Sequence, residues 1–440
     1  MTQQTENRLP PESAGNAPGR RLRILWLSHL IPYPPKGGVL MRSFHLVREV
    51  AKYHDLDLFA FNQPRLLSSY FKTSEAGLEV ARTELSKFVR ELHFAEIPAE
   101  TTRARKRNLA LRSLFTPDPY TINWLKSPEA SARIEALLRA QNYDVVHFDT
   151  ISLAPYFSDL VRGCTMLDHH NVESHMLLRR AQNEPNPLKK FYFRQEGQRL
   201  RRYEERHLKR FDAHIVCSTD DRQRLLEVDS SLDVTTIANG IAVDSAPPPR
   251  APVTPHRLLF IGGLDWYPNT DAVLFLIREV WPLILQKRTD IELHIVGKNP
   301  PESIKTLAAQ TRGIFIHGFV DDIRKIYSSA SLFVCPIRDG GGTKLKILDA
   351  MAHAVPVLAH PIACEGIDTT DGKNVMLAST PEEFASTTLT QLDDRERLTD
   401  IGLRGFELIR EQYDFANIGR ALARRYSDLV QRREQKARTA

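Results

Sequence analysis

Short apolar runs alternate with longer segments of helical pattern along most of the chain. Runs of this length, bounded by polar or turn-forming residues, are typical of buried strands. Between them, apolar residues recur at helical spacing, as in 42–52 and 131–140. Strands that alternate with helices predict an α/β fold built on doubly wound parallel sheets. The predicted strands are 22–27, 56–61, 145–148, 164–167, 214–217, 258–261, 291–296, 314–317, 332–335 and 356–358.

A proline-rich stretch divides this pattern into two halves. Residues 244–256 contain five prolines, a composition that suits a stiff interdomain linker. The length of 440 residues also exceeds what one ordinary core accommodates. We therefore predict two Rossmann-like domains, at 21–243 and 257–410, preceded by a disordered polar leader at 1–20. Because ligands bind at the carboxyl ends of parallel strands, the expected site is a cleft between two facing domains.

Composition narrows the class of protein. Hydrophobic residues make up 42% of the chain, enough for sizeable cores. The four cysteines form no C-x-x-C pair, so zinc and redox motifs are not indicated, and this usage fits a reducing cytoplasm. No apolar run reaches the 18 residues of a membrane span. Dinucleotide G-x-G-x-x-G, Walker A, G-x-S-x-G and H-E-x-x-H motifs are all absent.

The positive charge is concentrated in one segment. Residues 189–210 contain nine Lys or Arg and three Glu, a net of +6 that equals the whole-chain excess. Such a cluster attracts phosphates, and its flanking aromatic residues predict contact with an anionic membrane surface. A peripheral position on the inner face of the membrane would follow. The alternative is a solvated helix face with mixed salt pairs. We expect no nucleic-acid partner, because no nucleic-acid-binding motif is present.

A glycine-rich segment offers the clearest chemistry. The predicted strand 332–335 leads into Gly340, Gly341 and Gly342, and a helical pattern begins at Leu345. Glycines expose backbone amides, and a helix N-terminus attracts anions. Arg338 and Lys344 add positive charge, and Asp349 can accept hydrogen bonds from sugar hydroxyls. The segment predicts a diphosphate site, although a plain glycine turn with solvated cations is the alternative.

A second polar group ends the predicted strand 164–167. Asp168, His169, His170 and Asn171 follow this strand directly, where a histidine can hydrogen-bond a bound sugar. The same residue types can also ligate a metal ion. We expect no metal here, because no further cluster of ligands is evident in the sequence.

Short motifs recur in a fixed order along the chain. In the first half they follow predicted strands or precede the linker, and in the second half they are mostly strand–turn units. They are PYP at 32–34 with Gly37 and Gly38, IVCS at 215–218, NGI at 239–241, FIGGL at 260–264, LHIVG at 293–297, IHGFV at 316–320, IYSSA at 326–330, FVCP at 333–336 and LDAMA at 348–352. Their order and spacing resemble the retaining glycosyltransferases of family 4, which have the GT-B fold, over roughly residues 22–430.

The resemblance implies roles for both domains. The family binds a nucleoside-diphosphate sugar in the C-terminal domain and an acceptor in the N-terminal domain, and its last helix, here within 411–440, packs back toward the N-terminal domain. Catalytic roles are implied for His170, Arg338 and Lys344. Acceptor contacts are implied for Asp168, His169 and Asn171, with no metal and no cofactor. The implied donor contacts are Gly37, Gly38, Gly262, Gly263, Gly297, Phe319, Val320, Gly340, Gly341, Gly342, Thr343, Lys346 and Asp349.

The chain departs from the family pattern at two places. Of two signature glutamates spaced eight residues apart in the family, the second falls on Asp349 and the first on Gly341. The family also carries an Arg and a Lys after the first donor-domain glycine turn, whereas residues 264–269 contain no cation. We hypothesise that Arg338, Lys344 or Lys346 supplies the missing charge, with Lys344 favoured because it lies at the helix start.

The implied reaction moves a sugar from a UDP- or GDP-linked donor to a hydroxyl of a saccharide or lipid-linked saccharide, as in bacterial polysaccharide assembly. Two other functions fit the same residues. One is a nucleotide-sugar epimerase or phosphorylase of the same fold. The other is a degenerate protein that binds a nucleotide-sugar without catalysis, and Gly341 in place of glutamate is its best support.

Overall fold

The computed structural model describes residues 20–249, 256–320, 323–340 and 342–439. The leader predicted at 1–20 therefore lies almost wholly outside the described residues. The linker predicted at 244–256 lies partly outside them, and so does the predicted donor residue Gly341.

The first domain is built on a parallel sheet of seven strands, ordered β3-β2-β1-β4-β5-β6-β7. The chain reverses its direction of strand addition between β1 and β4, so a crevice is expected at their carboxyl ends. Their bounds are β1 Arg23–Ser28, β2 Asp55–Asn62, β3 Glu91–Glu96, β4 Val145–Phe148, β5 Cys164–His169, β6 Ala213–Val216 and β7 Val234–Thr236.

Helices cover both faces of this sheet. Alternate residues of β1 point to opposite faces, so that Ile24 and Trp26 join one apolar cluster and Leu25 and Leu27 join the other. The helices are α1 Gly38–Ala51, α2 Pro64–Ser68, α3 Ser74–Leu85, α4 Arg103–Ser113, α5 Tyr120–Asn123, α6 Pro128–Ala140, α7 Glu173–Asn183, α8 Pro187–His207 and α9 Thr219–Val228.

The second domain repeats the design with six parallel strands, ordered β10-β9-β8-β11-β12-β13. Its switch point lies between β8 and β11. The strands are β8 His256–Ile261, β9 Ile291–Val296, β10 Ile314–Ile316, β11 Leu332–Cys335, β12 Val357–Ala359 and β13 Met376–Leu377. The helices are α10 Tyr267–Phe275, α11 Trp281–Leu285, α12 Glu302–Ala309, α13 Ile323–Ser328, α14 Leu345–Ala352, α15 Pro381–Gln391 and α16 Arg395–Leu408.

The last helix, α17 Phe415–Thr439, packs on the first domain. Leu422 and Tyr426 are fully buried in the apolar cluster on one face of the first sheet. The Tyr426 hydroxyl lies 2.8 Å from Nδ1 of the buried His147. A Cβ atom on Gly419 would lie 2.2 Å from Cβ of Glu49, so this close approach to α1 requires glycine. Two backbone hydrogen bonds, from Ile241 N–H to the Tyr413 carbonyl oxygen and from Phe415 N–H to the Ile241 carbonyl oxygen, join the two chain segments that cross between the domains.

Among the residues that the structure describes, no helix is both long enough and apolar enough to span a bilayer.

Candidate functional site

The carboxyl ends of the two sheets face each other across a narrow cleft. A Cβ atom built on Gly342 would lie 3.2 Å from Oδ1 of Asn171, and one on Gly38 would lie 3.9 Å from Leu345 Cδ1. Asp339 reaches across as well, since it accepts a hydrogen bond of 2.7 Å from Asn183 and pairs with Arg179 at 3.2 Å. The structure thus brings most of the predicted residues of both domains into one place.

Glycine is required after β9, where the backbone closely approaches the end of β8. A Cβ on Gly297 would lie 1.8 Å from the carbonyl oxygen of Gly262, and a Cβ on Gly262 would lie 2.7 Å from Lys346 Nζ. Gly263 follows in the same turn, with Asp265 Oδ1 3.0 Å from its built Cβ. The two glycines therefore place no side chain between the turn and the cation, so that a ligand such as a diphosphate could approach the backbone closely.

Lys346 is the cation that reaches this turn. It lies in the first turn of α14, and its Nζ donates a hydrogen bond to Oδ1 of Asn269 and sits 4.7 Å from the centroid of the Phe260 ring. Burial lowers the pKa of Lys346 to about 8. Among the described residues it has no carboxylate partner, so it can neutralise an incoming anion.

Lys344 and Arg338 are held elsewhere. Lys344 Nζ folds back into the glycine loop and donates to the carbonyl oxygens of Gly340 (2.7 Å) and Gly342 (2.8 Å), and burial lowers its pKa. Arg338 pairs with Asp271 at 3.0 Å and lies 4.4 Å from the centroid of the Phe275 ring. We therefore favour Lys346 over Lys344 as the cation beside the turn of Gly262 and Gly263, because Lys344 organises the glycine loop itself.

The remaining predicted donor-side residues lie in the glycine loop, in α14 and at the turn after β10. Gly340 and Gly342 have φ angles of 100° and 73°, which only glycine adopts readily. The Thr343 hydroxyl is buried without a hydrogen-bond partner among the described residues. Burial raises the pKa of Asp349 to about 6. Phe319 is 64% exposed at the turn after β10, next to Val320.

On the first-domain side, His170 is held by a buried carboxylate. Its Nε2 lies 2.8 Å from Oδ1 of Asp149, which is fully buried after β4 and also accepts hydrogen bonds from the Ser28 and Ser43 hydroxyls at 2.9 and 3.1 Å. His29 Nδ1 approaches the same carboxylate at 3.4 Å. Burial opposes the positive charge on His170, but Asp149 outweighs it and raises the pKa of His170. Burial would raise the pKa of Asp149, but His170 and His29 lower it well below its ordinary value.

Asp168 and His169 lie beneath the cleft rather than in it. Asp168 is fully buried and pairs with Arg42 at 3.2 Å, and Arg42 also donates to the carbonyl oxygens of Ile237 and Ala238 at 2.9 Å. Burial opposes the charge on Arg42, but Asp168 raises its pKa. His169 is 2% exposed, and its Nε2 lies 3.2 Å from Nδ1 of His214. Because the side chains of Asp168 and His169 are buried, the predicted direct contact of either with an acceptor does not fit the structure.

The glycines after β1 are at the entrance of the cleft. Gly37 precedes α1 with a φ of 85°, and the Tyr70 hydroxyl lies 3.7 Å from its built Cβ. Gly38 begins α1, so the positive end of that helix lies close to Leu345 at the start of α14.

Ligand atoms of His29, Asp149 and His170 all lie within 4.8 Å of one another, and these residue types can hold a metal ion. His147, Asp149 and Asp168 form a second, fully buried group of the same kind. The expectation of a site without metal stays a prediction.

Several candidate functional residues were not predicted from the sequence. Asp149 and His29 were missed although each directly follows a strand, which was a usable signal, and Asn269 in the first turn of α10 was missed as well. Asp339 was not assigned a role either, whereas it bridges the domains. Trp266, 63% exposed beside the first glycine turn, is an aromatic surface at the cleft that its sequence position alone did not single out.

Comparison with known proteins agrees with this geometry. Residues 255–394, from β8 through α15, match the family described as "Glycosyl transferases group 1". A relative from Klebsiella pneumoniae, an "Uncharacterized 44.6 kDa protein in cps region", is 28% identical over 165 residues. That alignment covers 36% of this chain and 42% of the relative, so the chain matches less than half of the relative's length.

Solved structures match nearly the whole chain at low identity. Sucrose-phosphate synthase from Thermosynechococcus elongatus has a TM-score of 0.64 and 14% identity, over 92% of this chain and 99% of that chain. TarM has a TM-score of 0.65 and 13% identity, over 94% and 99%. HepE of Anabaena, in complex with UDP and glucose, has a TM-score of 0.61 and 14% identity, over 93% and 100%. The chain therefore has the GT-B fold, and its second domain carries the segment characteristic of group 1 glycosyltransferases.

Proposed function

We propose that this protein is a retaining glycosyltransferase that moves a sugar from a nucleoside-diphosphate sugar to an acceptor hydroxyl. The observation that carries the proposal is Lys346, a half-buried cation that has no carboxylate partner among the described residues and lies beside the turn of Gly262 and Gly263. The group 1 match over the same domain supports it. HepE, of the same fold, is described in complex with UDP and glucose, which supports a nucleotide-sugar as the donor class.

In the proposed complex the diphosphate lies between the first glycine turn and the glycine loop. Lys346 and the amide of Gly263 stabilise the negative charge that develops on the leaving group. Lys344 fixes the loop so that its amides stay in place. Asp349 accepts hydrogen bonds from the ribose of the nucleotide, and Phe319 contacts its base.

The transfer then needs little acid–base chemistry from the protein. The bond between sugar C1 and the phosphate oxygen breaks, and the nucleoside diphosphate leaves with the electron pair. The acceptor oxygen bonds to C1 from the same face, and its proton passes to the leaving phosphate. His170, held by Asp149, and Asn171 orient the reacting hydroxyls, while Asp168 and Arg42 support them from below. Positioning of this kind supplies much of the rate enhancement.

We further propose that the acceptor is a saccharide or a lipid-linked saccharide in polysaccharide biosynthesis. The Klebsiella relative is described as lying in a cps region, which supports a saccharide product. TarM in complex with Fondaparinux, alpha-GlcNAc-glycerol and UDP shows that a neighbour of this fold takes glycans beside its nucleotide.

The experiment is an incubation of the purified protein with UDP-, GDP- and ADP-sugars, with and without a bacterial lipid extract, while free nucleoside diphosphate is measured. We expect release from one donor, stimulated by the extract, with the anomeric configuration kept in the product. Tight binding of one nucleotide without turnover would favour the non-catalytic alternative suggested by Gly341. Formation of an epimer without an acceptor would favour the epimerase, and binding of none would contradict the proposal.

A further inference from the structure

A basic surface lies on the first domain, formed by α4, the segment 114–119 and the outer face of α8. Helix α4 carries five cations and no acid, and it buries only Ser113. The outer face of α8 adds exposed cations along its whole length. The exposed cations of both helices are Arg103, Arg105, Arg107, Arg112, Lys189, Lys190, Arg194, Arg201, Arg202 and Arg206.

Fixed hydrogen bonds join the two helices into one surface. Arg199 of α8 donates to the carbonyl oxygens of Ser113 (2.7 Å) and Asp118 (3.0 Å), and Glu196 accepts from the backbone of Thr121 at 2.9 Å. Between the segment 114–119 and α8 lies a hollow of about 600 Å³, lined by Thr116, Pro117, Arg199, Arg202, Glu205 and Arg206. Three of these six lining residues are arginines, so the hollow suits an anionic group.

Exposed apolar side chains lie on the same surface. Phe115 is 89% exposed, Leu188 80%, Phe191 68% and Leu111 56%. The first three are the most exposed large apolar side chains in the described part of the chain. Each flanks cations, because Phe115 follows α4, Leu111 lies within it, and the other two lie in the first turns of α8.

We propose that this surface docks on a bilayer that contains anionic phospholipid. The cations match the negative headgroups, and Phe115, Leu188 and Phe191 lose their exposure to water by entering the boundary between headgroups and acyl chains. Cations alone would also suit a nucleic acid. Leucines at 111 and 188, however, gain nothing from phosphate contacts, whereas they gain from an apolar boundary.

The location of the basic surface fits an acceptor that is anchored in lipid. Helix α7 begins beside His170 and Asn171 in the cleft and is followed directly by α8. A bilayer on the basic surface would therefore lie next to the first-domain side of the cleft. The docking itself does not depend on the proposed reaction, since it requires neither donor nor turnover.

The test is co-sedimentation of the full chain with vesicles, without any nucleotide-sugar. One set contains phosphatidylcholine alone and the other contains equal parts of phosphatidylcholine and phosphatidylglycerol. We expect binding to the anionic set, weakened by high salt. Because each cation near the surface contributes about 1 kcal/mol, the double change R202Q/R206Q should lower the partition coefficient about tenfold or more.

Matched control variants test whether vesicle binding depends on this surface rather than on the charge or the exposed apolar residues of the protein in general. R395Q/R397Q removes two exposed arginines from α16 of the second domain and should leave partitioning unchanged. Phe115→Ser should weaken partitioning several-fold, whereas Leu403→Ser, at another exposed apolar residue, should not. Equal binding to both vesicle sets, equal losses in the control variants, or binding to single-stranded RNA with no binding to vesicles would overturn the proposal.

Discussion

Lys346 lies where a positive charge is costly until an anion arrives. Its amino group has a neutral amide and an aromatic ring as neighbours, and burial lowers its pKa to about 8. A diphosphate would supply the missing negative charge and restore the full charge of the lysine. Lys344, by contrast, already donates hydrogen bonds to the carbonyl oxygens of Gly340 and Gly342. The two lysines of one loop therefore have different tasks.

Lys346→Gln should lower kcat/KM for the donor tenfold or more, because a lost charged contact is worth about 1.5–3 kcal/mol. In the wild type, kcat/KM should also fall as pH rises through about 8, since the free enzyme then loses the proton and the positive charge of Lys346. Below that pH the lysine stays charged, so this group causes no change. The measurement is a pH series of initial rates at low donor concentration.

The matched control is Lys305→Gln on α12, an exposed lysine of the same domain that pairs with Glu302. It should keep both the rate and the alkaline limb, whereas Lys346→Gln should lack that limb. An unchanged kcat/KM in Lys346→Gln, or the same alkaline limb in that variant, would remove Lys346 from the diphosphate site.

Among the secondary-structure elements, those with strong apolar periodicity could be predicted from the sequence. Strands β4, β9 and β11 have the predicted bounds and helix α14 begins at the predicted Leu345, because their apolar runs end or begin at polar or glycine turns. The strands β3, β7 and β13 were missed. Strand β3 reads ELHFAE with partly exposed side chains, and the other two have only three and two residues, too short to form a pattern.

Helix α17 is an element whose sequence lies after the second domain while its contacts are with the first. Leu422→Ala should lower the free energy of unfolding of the first domain by about 2–5 kcal/mol, because it leaves a cavity under α17. Arg424→Ala, at an exposed position of the same helix, should cost little. Denaturant unfolding followed by fluorescence measures both, and equal midpoints would show that α17 adds nothing to the first-domain core.

At the scale of the whole molecule, the cleft is formed by two switch points that meet. The ends of β1 and β4 carry His29 and Asp149, and the ends of β8 and β11 lead into the glycine turns. The sequence alone indicated two such sheets and a site between them. It did not indicate that Asp339 would reach α7, because contacts between domains depend on side chains far apart in the chain. For the same reason, the burial of Asp168 under Arg42 was not foreseen.

The proposed function requires that a nucleoside diphosphate binds in the second domain at the glycine turns. Hydrogen–deuterium exchange of the full chain, with and without UDP or GDP, tests its location directly. We predict slower exchange in peptides that cover residues 260–272 and 338–352, in the presence of the nucleotide that binds, and a weaker effect in Lys346→Gln. Protection confined to the first domain, or no protection in either of these segments at a nucleotide concentration that saturates binding, would contradict the account.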